Sequence, residues 1–318
     1  MSTAQTLARP RQDAVCCPQC GSTQKIRLGA LARGREFAGK PLEPPWPGET
    51  LYRCIGCMLA YRYPLKPANV YESMYESAST QVWSANSIRI DHRLIADRIA
   101  AHAESGSVLD IGCYDGGLLG ALGPRYQKFG IEASRAAAQA AAARGVVMLA
   151  SRISQLQTIP RKFDVVCAID VVEHVADPLA LLWSIRSKLA DDGIIIISSG
   201  NVDAPACDAL GSSYWYCSAP EHISFISMRW ATIAATKLGL KIVDSATFRH
   251  SNPGPTFRLK HGLKLGLKLV AGLMELAFVR PFSTRSRALG PRFVLGVPGL
   301  FEDRLLLVFA KAASGRSR

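Results

Sequence analysis

The stretch Val108-Leu109-Asp110-Ile111-Gly112-Cys113-Tyr114-Asp115-Gly116-Gly117-Leu118-Leu119 constrains this chain more than any other. A β-branched and apolar run ends in an acid, and a glycine-rich turn then opens into apolar residues. The order reads as strand, tight loop, helix. Such a unit brings a ligand against exposed backbone N–H groups at a helix N-terminus, where a side chain would block it. Gly112 and Gly116 are the positions at which a missing Cβ would admit that approach. A glycine turn after a strand also packs helix on sheet, so this stretch alone leaves both uses open.

The residues beyond this turn narrow the choice. The run 127–132 (Gln-Lys-Phe-Gly-Ile-Glu) ends in a carboxylate about twenty residues after Asp110, where a nucleoside ribose presents two hydroxyls that one carboxylate can accept. Residues 163–168 read as a buried parallel strand, followed by Ile169-Asp170-Val171-Val172-Glu173-His174-Val175 and Asp177-Pro178. The run 192–198 (Asp-Gly-Ile-Ile-Ile-Ile-Ser) is too apolar to be anything but covered on both faces. Helices are expected over 89–103, 133–144, 178–189 and 230–238, and strands over 145–150, 240–247 and 304–311.

These motifs together resemble the class I S-adenosylmethionine (SAM)-dependent methyltransferases, over roughly residues 105–250. The resemblance implies an α/β, Rossmann-like, seven-stranded sheet. It implies that Asp110 and the loop Gly112-Cys113-Tyr114-Asp115-Gly116 face the methionine end of SAM. Glu132, with Ala133 beside it, would hold the ribose, and Asp170 and Val171 would line the site after the fourth strand. Tyr114 stands where many members have a second glycine, so a different bend is expected there. Ser151 replaces the usual acid after the third strand.

Two C-x2-C knuckles, Cys17/Cys20 and Cys54/Cys57, read as a four-thiolate zinc site, because two such turns can place four sulfurs tetrahedrally. The bland alternative is a coincidental set of reactive thiols. Cys16 falls outside the ligand spacing, and Cys113, Cys167, Cys207 and Cys217 read as small buried residues. Nine cysteines in a chain whose first residues lack a signal peptide's apolar core suggest a reducing cytoplasmic setting, with metal ligation rather than disulfides. Residues 41–47 read as a proline-rich surface excursion. Tyr52, Tyr61, Tyr63, Tyr71 and Tyr75 either pack ribbon on core or wall a substrate pocket, packing being favoured.

Substrate chemistry is expected in 198–228, after the fifth strand, where open α/β folds bind ligands. A neutral imidazole at His222 can take the proton that methylation displaces, and the adjacent Glu221 carboxylate can set its tautomer. Tyr214 and Tyr216 are candidate substrate contacts. The alternative is that His222 only caps and packs the following helix, and His174 is read as a packed residue. The knuckles, the glycine turn and the Glu221-His222 pair also resemble zinc-ribbon methyltransferases of bacterial sugar and polysaccharide pathways. That resemblance implies O- or C-methylation of a sugar nucleotide, glycan or lipid-linked glycan intermediate.

The formal charge of +13 suggests an anionic partner. It concentrates between Arg249 and Arg292, with nine Lys or Arg against one acid, Glu275. There Lys260, Lys264 and Lys268 fall at helical spacing among Leu and Val. The basic amphipathic helix over 257–278 suits a lid or, across 257–292, contact with an anionic membrane at the inner face. An RNA methyltransferase is the first rival reading, although the ribbon is not dense in Lys or Arg, and a non-catalytic scaffold the second. The expected organisation is a disordered tail (1–12), a zinc ribbon (13–66), and a linker and helix over the cofactor site (67–104). A core (105–250 and 301–312) comes next, interrupted by the basic helical insertion (251–300).

Overall fold

The computed structural model describes residues 15–76, 90–205, 207, 211–249 and 302–312. The expected tail at 1–12 and the basic helix at 257–278 lie outside the described residues. Five strands open the chain: β1 (Lys25–Ala30), β2 (Gly34–Phe37), β3 (Lys40–Trp46), β4 (Thr50–Cys54) and β5 (Ala60–Tyr63). Eight more come after them: β6 (Gly106–Ile111), β7 (Tyr126–Ile131), β8 (Val147–Ala150), β9 (Phe163–Ile169), β10 (Leu189–Gly200), β11 (Ser224–Phe225), β12 (Leu240–Phe248) and β13 (Arg304–Lys311).

Seven of them form one sheet in the order β12-β13-β10-β9-β6-β7-β8, as expected. The strands β6 to β10 run parallel, and β13 lies antiparallel between β10 and β12. The parallel part needs crossover helices, and the sequence supplies their caps. Ser134 accepts from the Ala137 N–H and starts the helix Arg135–Ala143. Asp177 accepts from the Ala180 N–H with Pro178 at the first helical position, starting Pro178–Ser187. The tetrad Ile194 to Ile197 is buried on both faces of the sheet, which is why it carries no alternation. On one face the helix Ile90–His102 buries Ile95 and Ile99 against Val108, Leu118 and Leu119. No helix among the described residues is long and apolar enough to cross a membrane.

The ribbon packs directly on the core, with Tyr52, Tyr61 and Tyr63 against the core cluster. Its sheet has the order β1-β4-β5-β11, and the last strand comes from the loop after β10. Ser224 pairs with Tyr61 and Phe225 with Ala60. Cys17, Cys54, Leu59 and Tyr61 share one buried cluster with Leu109, Ile197 and Trp230, and the Trp230 indole donates to Gln19 at 2.9 Å. Residues 41–47 lie largely at the surface, as expected, with five of the seven exposed. Most of the stretch is β3, paired with β2, and Leu42 and Phe37 pack under Tyr71 and Ile223.

Candidate active site and metal centre

β6 and β9 are neighbours in register, Asp110 opposite Cys167 and Ile111 opposite Ala168. Their following loops therefore leave the same edge of the sheet and meet. Gly112 and Gly116 both take the left-handed conformation, at φ +72 and +77. A Cβ at Gly112 would lie 2.8 Å from Val171 Cγ2, and one at Gly116 3.1 Å from Val146 Cγ2. Both glycines are therefore also required by the chain's own packing. Tyr114, where a different bend is expected, holds a positive φ of 47. Strain of this kind costs about 1–3 kcal/mol and persists only where neighbours enforce it. Here Glu132 enforces it by accepting the Tyr114 N–H at 2.9 Å.

Glu132 stands at the end of β7. Its second oxygen accepts the Ser134 N–H at 2.7 Å, so one carboxylate ties the glycine loop to the start of the next helix. Burial nevertheless pushes its carboxyl above the ordinary range. Backbone N–H groups of Tyr114, Ala133 and Ser134 all act on this carboxylate. Asp110 is buried at the end of β6, and burial pushes the Cys113 thiol up. Ala133 is exposed beside Glu132, and Val171 is buried against Gly112. The residues at this edge fit a nucleoside carrying an amino-acid tail.

Beyond Val171 lies a network of buried charge that the sequence did not reveal. Asp170, at φ 55, is ion-paired with Arg304, the first residue of β13. Glu173 accepts from Ser199 Oγ at 2.9 Å and from the Tyr216 hydroxyl at 2.7 Å, with the Arg304 guanidinium 4.0 Å away. The Tyr216 oxygen also accepts the Gly200 N–H at 2.9 Å, and burial beside Glu173 pushes this phenol far up. The Tyr214 hydroxyl donates to Asp303 at 2.6 Å. Both hydroxyls, read as candidate substrate contacts, have partners inside the protein, and Tyr216 links Glu173 to the start of the loop after β10.

Two imidazoles sit on this support. His222 Nδ1 lies 2.8 Å from the Tyr216 carbonyl. A carbonyl can only accept, so Nδ1 carries the proton and Nε2 the lone pair. The tautomer is thus set by the Tyr216 carbonyl and not by the Glu221 carboxylate. Glu221 contributes its backbone carbonyl, 2.9 Å from His174 Nδ1, and the Tyr75 hydroxyl is 2.6 Å from that same nitrogen. The two imidazole rings lie 5.2 Å apart. Burial holds His174 below the usual imidazole range, so it is neutral near pH 7. Glu173, His174 and His222 are close enough to suggest a cation site. Both Glu173 oxygens are already taken, however, and a guanidinium stands beside them, which does not suit a metal.

His174 and Tyr75 were missed as members of this group. They lie 99 residues apart with no shared motif, and a hydrogen bond and an edge-on ring contact formed only in the fold bring them together.

The four knuckle cysteines do converge. Cys17 and Cys57 sulfurs are 3.6 Å apart, Cys20 and Cys54 sulfurs 3.5 Å, and all four sulfurs lie within 4.8 Å of one another. A tetrahedral thiolate set with metal–sulfur bonds of ~2.3 Å needs sulfurs about 3.8 Å apart. The Cys57 thiol pulls Cys17 down to about 5, while the same contact pushes Cys57 up and burial pushes Cys20 up. Cys113, Cys167, Cys207 and Cys217 are buried, as expected.

A family model described as a methyltransferase domain matches residues 87–245, half of the chain. No curated protein sequence matches. Similar solved structures include the plantazolicin methyltransferase BpumL in complex with S-adenosylhomocysteine (SAH). It is 16% identical, with 77% of this chain and 90% of that chain covered and a TM-score of 0.45. The N-methyltransferase NodS from Bradyrhizobium japonicum WM9, also with SAH, is 16% identical over 76% of this chain and 98% of that one, at a TM-score of 0.46. Coclaurine N-methyltransferase, bound to N-methylheliamine and SAH, is 13% identical over 78% and 80%, at 0.43. With that family model spanning β6 to β12 and the seven-stranded sheet in place, the chain belongs to the class I SAM-dependent methyltransferases.

Proposed function

We propose that this methyltransferase acts on an O or C atom of a small polyhydroxylated acceptor, a sugar nucleotide, glycan or lipid-linked glycan intermediate. His222 takes the displaced proton. The observation that carries the reading is the convergence of Tyr75, His174 and His222 beside Val171, the residue that touches Gly112.

SAM, when bound, supplies a methyl group already activated by its sulfonium. The chain must hold it, align the acceptor, exclude water and remove one proton. Asp110 and the N–H groups of the 112–116 loop would hold the amino-acid tail, and Glu132 the ribose. One oxygen of Asp170 is paired with Arg304, which fixes the loop after β9 beside the cofactor site. His222 has its Nδ1 proton fixed and a basic Nε2, the form a general base needs. The phenol of Tyr75 and the neutral ring of His174 supply a second polar pair for an acceptor with several hydroxyls.

The Cys17, Cys20, Cys54 and Cys57 set would hold zinc in a closed four-sulfur site, which is structural in kind. Two of the ribbon's five arginines are committed to acids of this chain, while Arg27, Arg33 and Arg35 are exposed. Arg53 is paired with Asp203 at 2.8 Å and Arg62 with Glu49 at 2.5 Å, so neither reaches for phosphate.

The test is transfer of radiolabelled methyl from SAM to a panel of nucleotide sugars, glycans and RNA. Label is expected in a sugar-bearing acceptor, and His222→Asn should lower kcat about a hundredfold or more with little change in KM for SAM. Label found only in ribonuclease-sensitive material would overturn the reading.

A further inference from the structure

Arg62 lies on β5, in the ribbon, and is 1% exposed. Two of its three side-chain nitrogens are aimed at one stretch of chain far along the sequence. Nε donates to the His222 carbonyl at 3.0 Å, and Nη2 to the carbonyls of Cys217 at 2.9 Å and Ala219 at 2.7 Å. Nη1 donates to the Glu49 carboxylate at 2.5 Å. The backbone N–H of Arg62 adds a bond to the Ile223 carbonyl at 3.0 Å, and the next two residues pair with β5 as a strand.

A buried ion pair is a poor way to stabilise a core, since well-packed apolar residues often do as well or better. What it does supply is donors in a fixed plane. The loop 217–223 makes few backbone bonds of its own: the His222 N–H donates to the Ala219 carbonyl, and that carbonyl and those of Cys217 and His222 end on one guanidinium. Without Arg62 the Cys217 and His222 carbonyls would be left unmet, at a cost that would push the loop outward.

We infer that Arg62 is a positioning residue for the acceptor half of the site. It fixes the loop 217–223, and through it the ring of His222, so that the metal-binding ribbon is part of the catalytic architecture. Glu49 serves by neutralising the guanidinium where water cannot. The inference rests on the reading of His222 as the base.

The test uses the full chain carrying Arg62→Lys and, separately, the double change Arg62→Gln with Glu49→Gln, which leaves no unpaired buried charge. Both are expected to bind SAH within about twofold of the parent, because the 112–116 loop and Glu132 lie outside this contact. The His222 ring resonances, assigned by their loss in His222→Asn, are expected to shift and broaden. Those of His92, beside Gly117, should stay in place. Amide exchange across 215–226 should rise about tenfold or more while 106–118 keeps its protection. Unchanged His222 resonances and unchanged exchange in both variants would overturn the inference. So would a uniform loss of protection and SAH binding, or failure of both variants to fold, either of which would make Arg62 a general core contact. A parent chain that does not bind SAH would instead count against the cofactor site, and the loop readout would still decide the role of Arg62.

Discussion

Glu132 carries two demands that oppose each other. It must be charged to accept the Tyr114 and Ser134 N–H groups and a ribose diol, yet its burial disfavours the charge. Glu132→Gln keeps the size but turns one acceptor into a donor facing a backbone N–H. The expected result is a loss of SAH affinity of about ten- to a hundredfold, measured by calorimetry, since hydrogen bonds to a charged group are worth about 1.5–3 kcal/mol. His174 gives the pH dependence. Its native value lies below the ordinary 6.5, so folded and unfolded chains bind protons equally above that value. As pH falls from about 6.5 towards the depressed native value, the unfolded chain gains a proton first and stability declines. Denaturation midpoints should therefore drop on acidification, and His174→Gln should flatten that drop. Glu132 was legible because an acid at a strand tip is a local pattern. Arg304 was not, because its partners Asp170 and Glu173 lie more than a hundred residues away in sequence.

At the level of elements, the sheet was legible and the ribbon's attachment was not. Strands buried on both faces announce themselves as unbroken apolar runs, and the caps at Ser134 and Asp177 mark where helices begin. The two residues of β11 have no periodicity to read, yet they join ribbon to core. The same seam makes a prediction about metal. In a free-standing ribbon, chelation would melt the ribbon alone. Here Cys54 and Cys57 flank the turn between β4 and β5, β5 carries β11, and Gln19 holds Trp230. Stripping zinc, or replacing Cys54 by Ser, should lower the melting temperature of the whole chain in one transition. The shift should reach several degrees, since a bound structural zinc contributes folding energy directly. Calorimetry alongside metal analysis checks it. Two separated transitions, with the upper one unmoved, would mean that ribbon and core fold independently.

The whole molecule closes on β13. Residues Leu305 to Phe309 are almost fully buried between β10 and β12, so the last strand completes the sheet. Phe248, at the end of β12, pairs directly with Arg304, at the start of β13. The chain therefore leaves and rejoins the sheet at one place, and the intervening residues 250–301 are topologically a hairpin connection of unusual length. Loop-closure entropy grows only slowly with length, and a short turn can join two antiparallel strands whose ends already face each other. Replacing 250–301 by a turn of a few residues, with Asp303 and Arg304 kept, should leave the sheet, the melting temperature and SAH affinity close to those of the parent. The same change removes most of the excess positive charge, which lies between Arg258 and Arg292. Full-length chain is expected to sediment with anionic vesicles in a salt-sensitive way, and the shortened chain is not. If the shortened chain loses SAH binding as well, the basic segment belongs to the cofactor site; if it keeps vesicle binding, the charge that matters lies on the folded core.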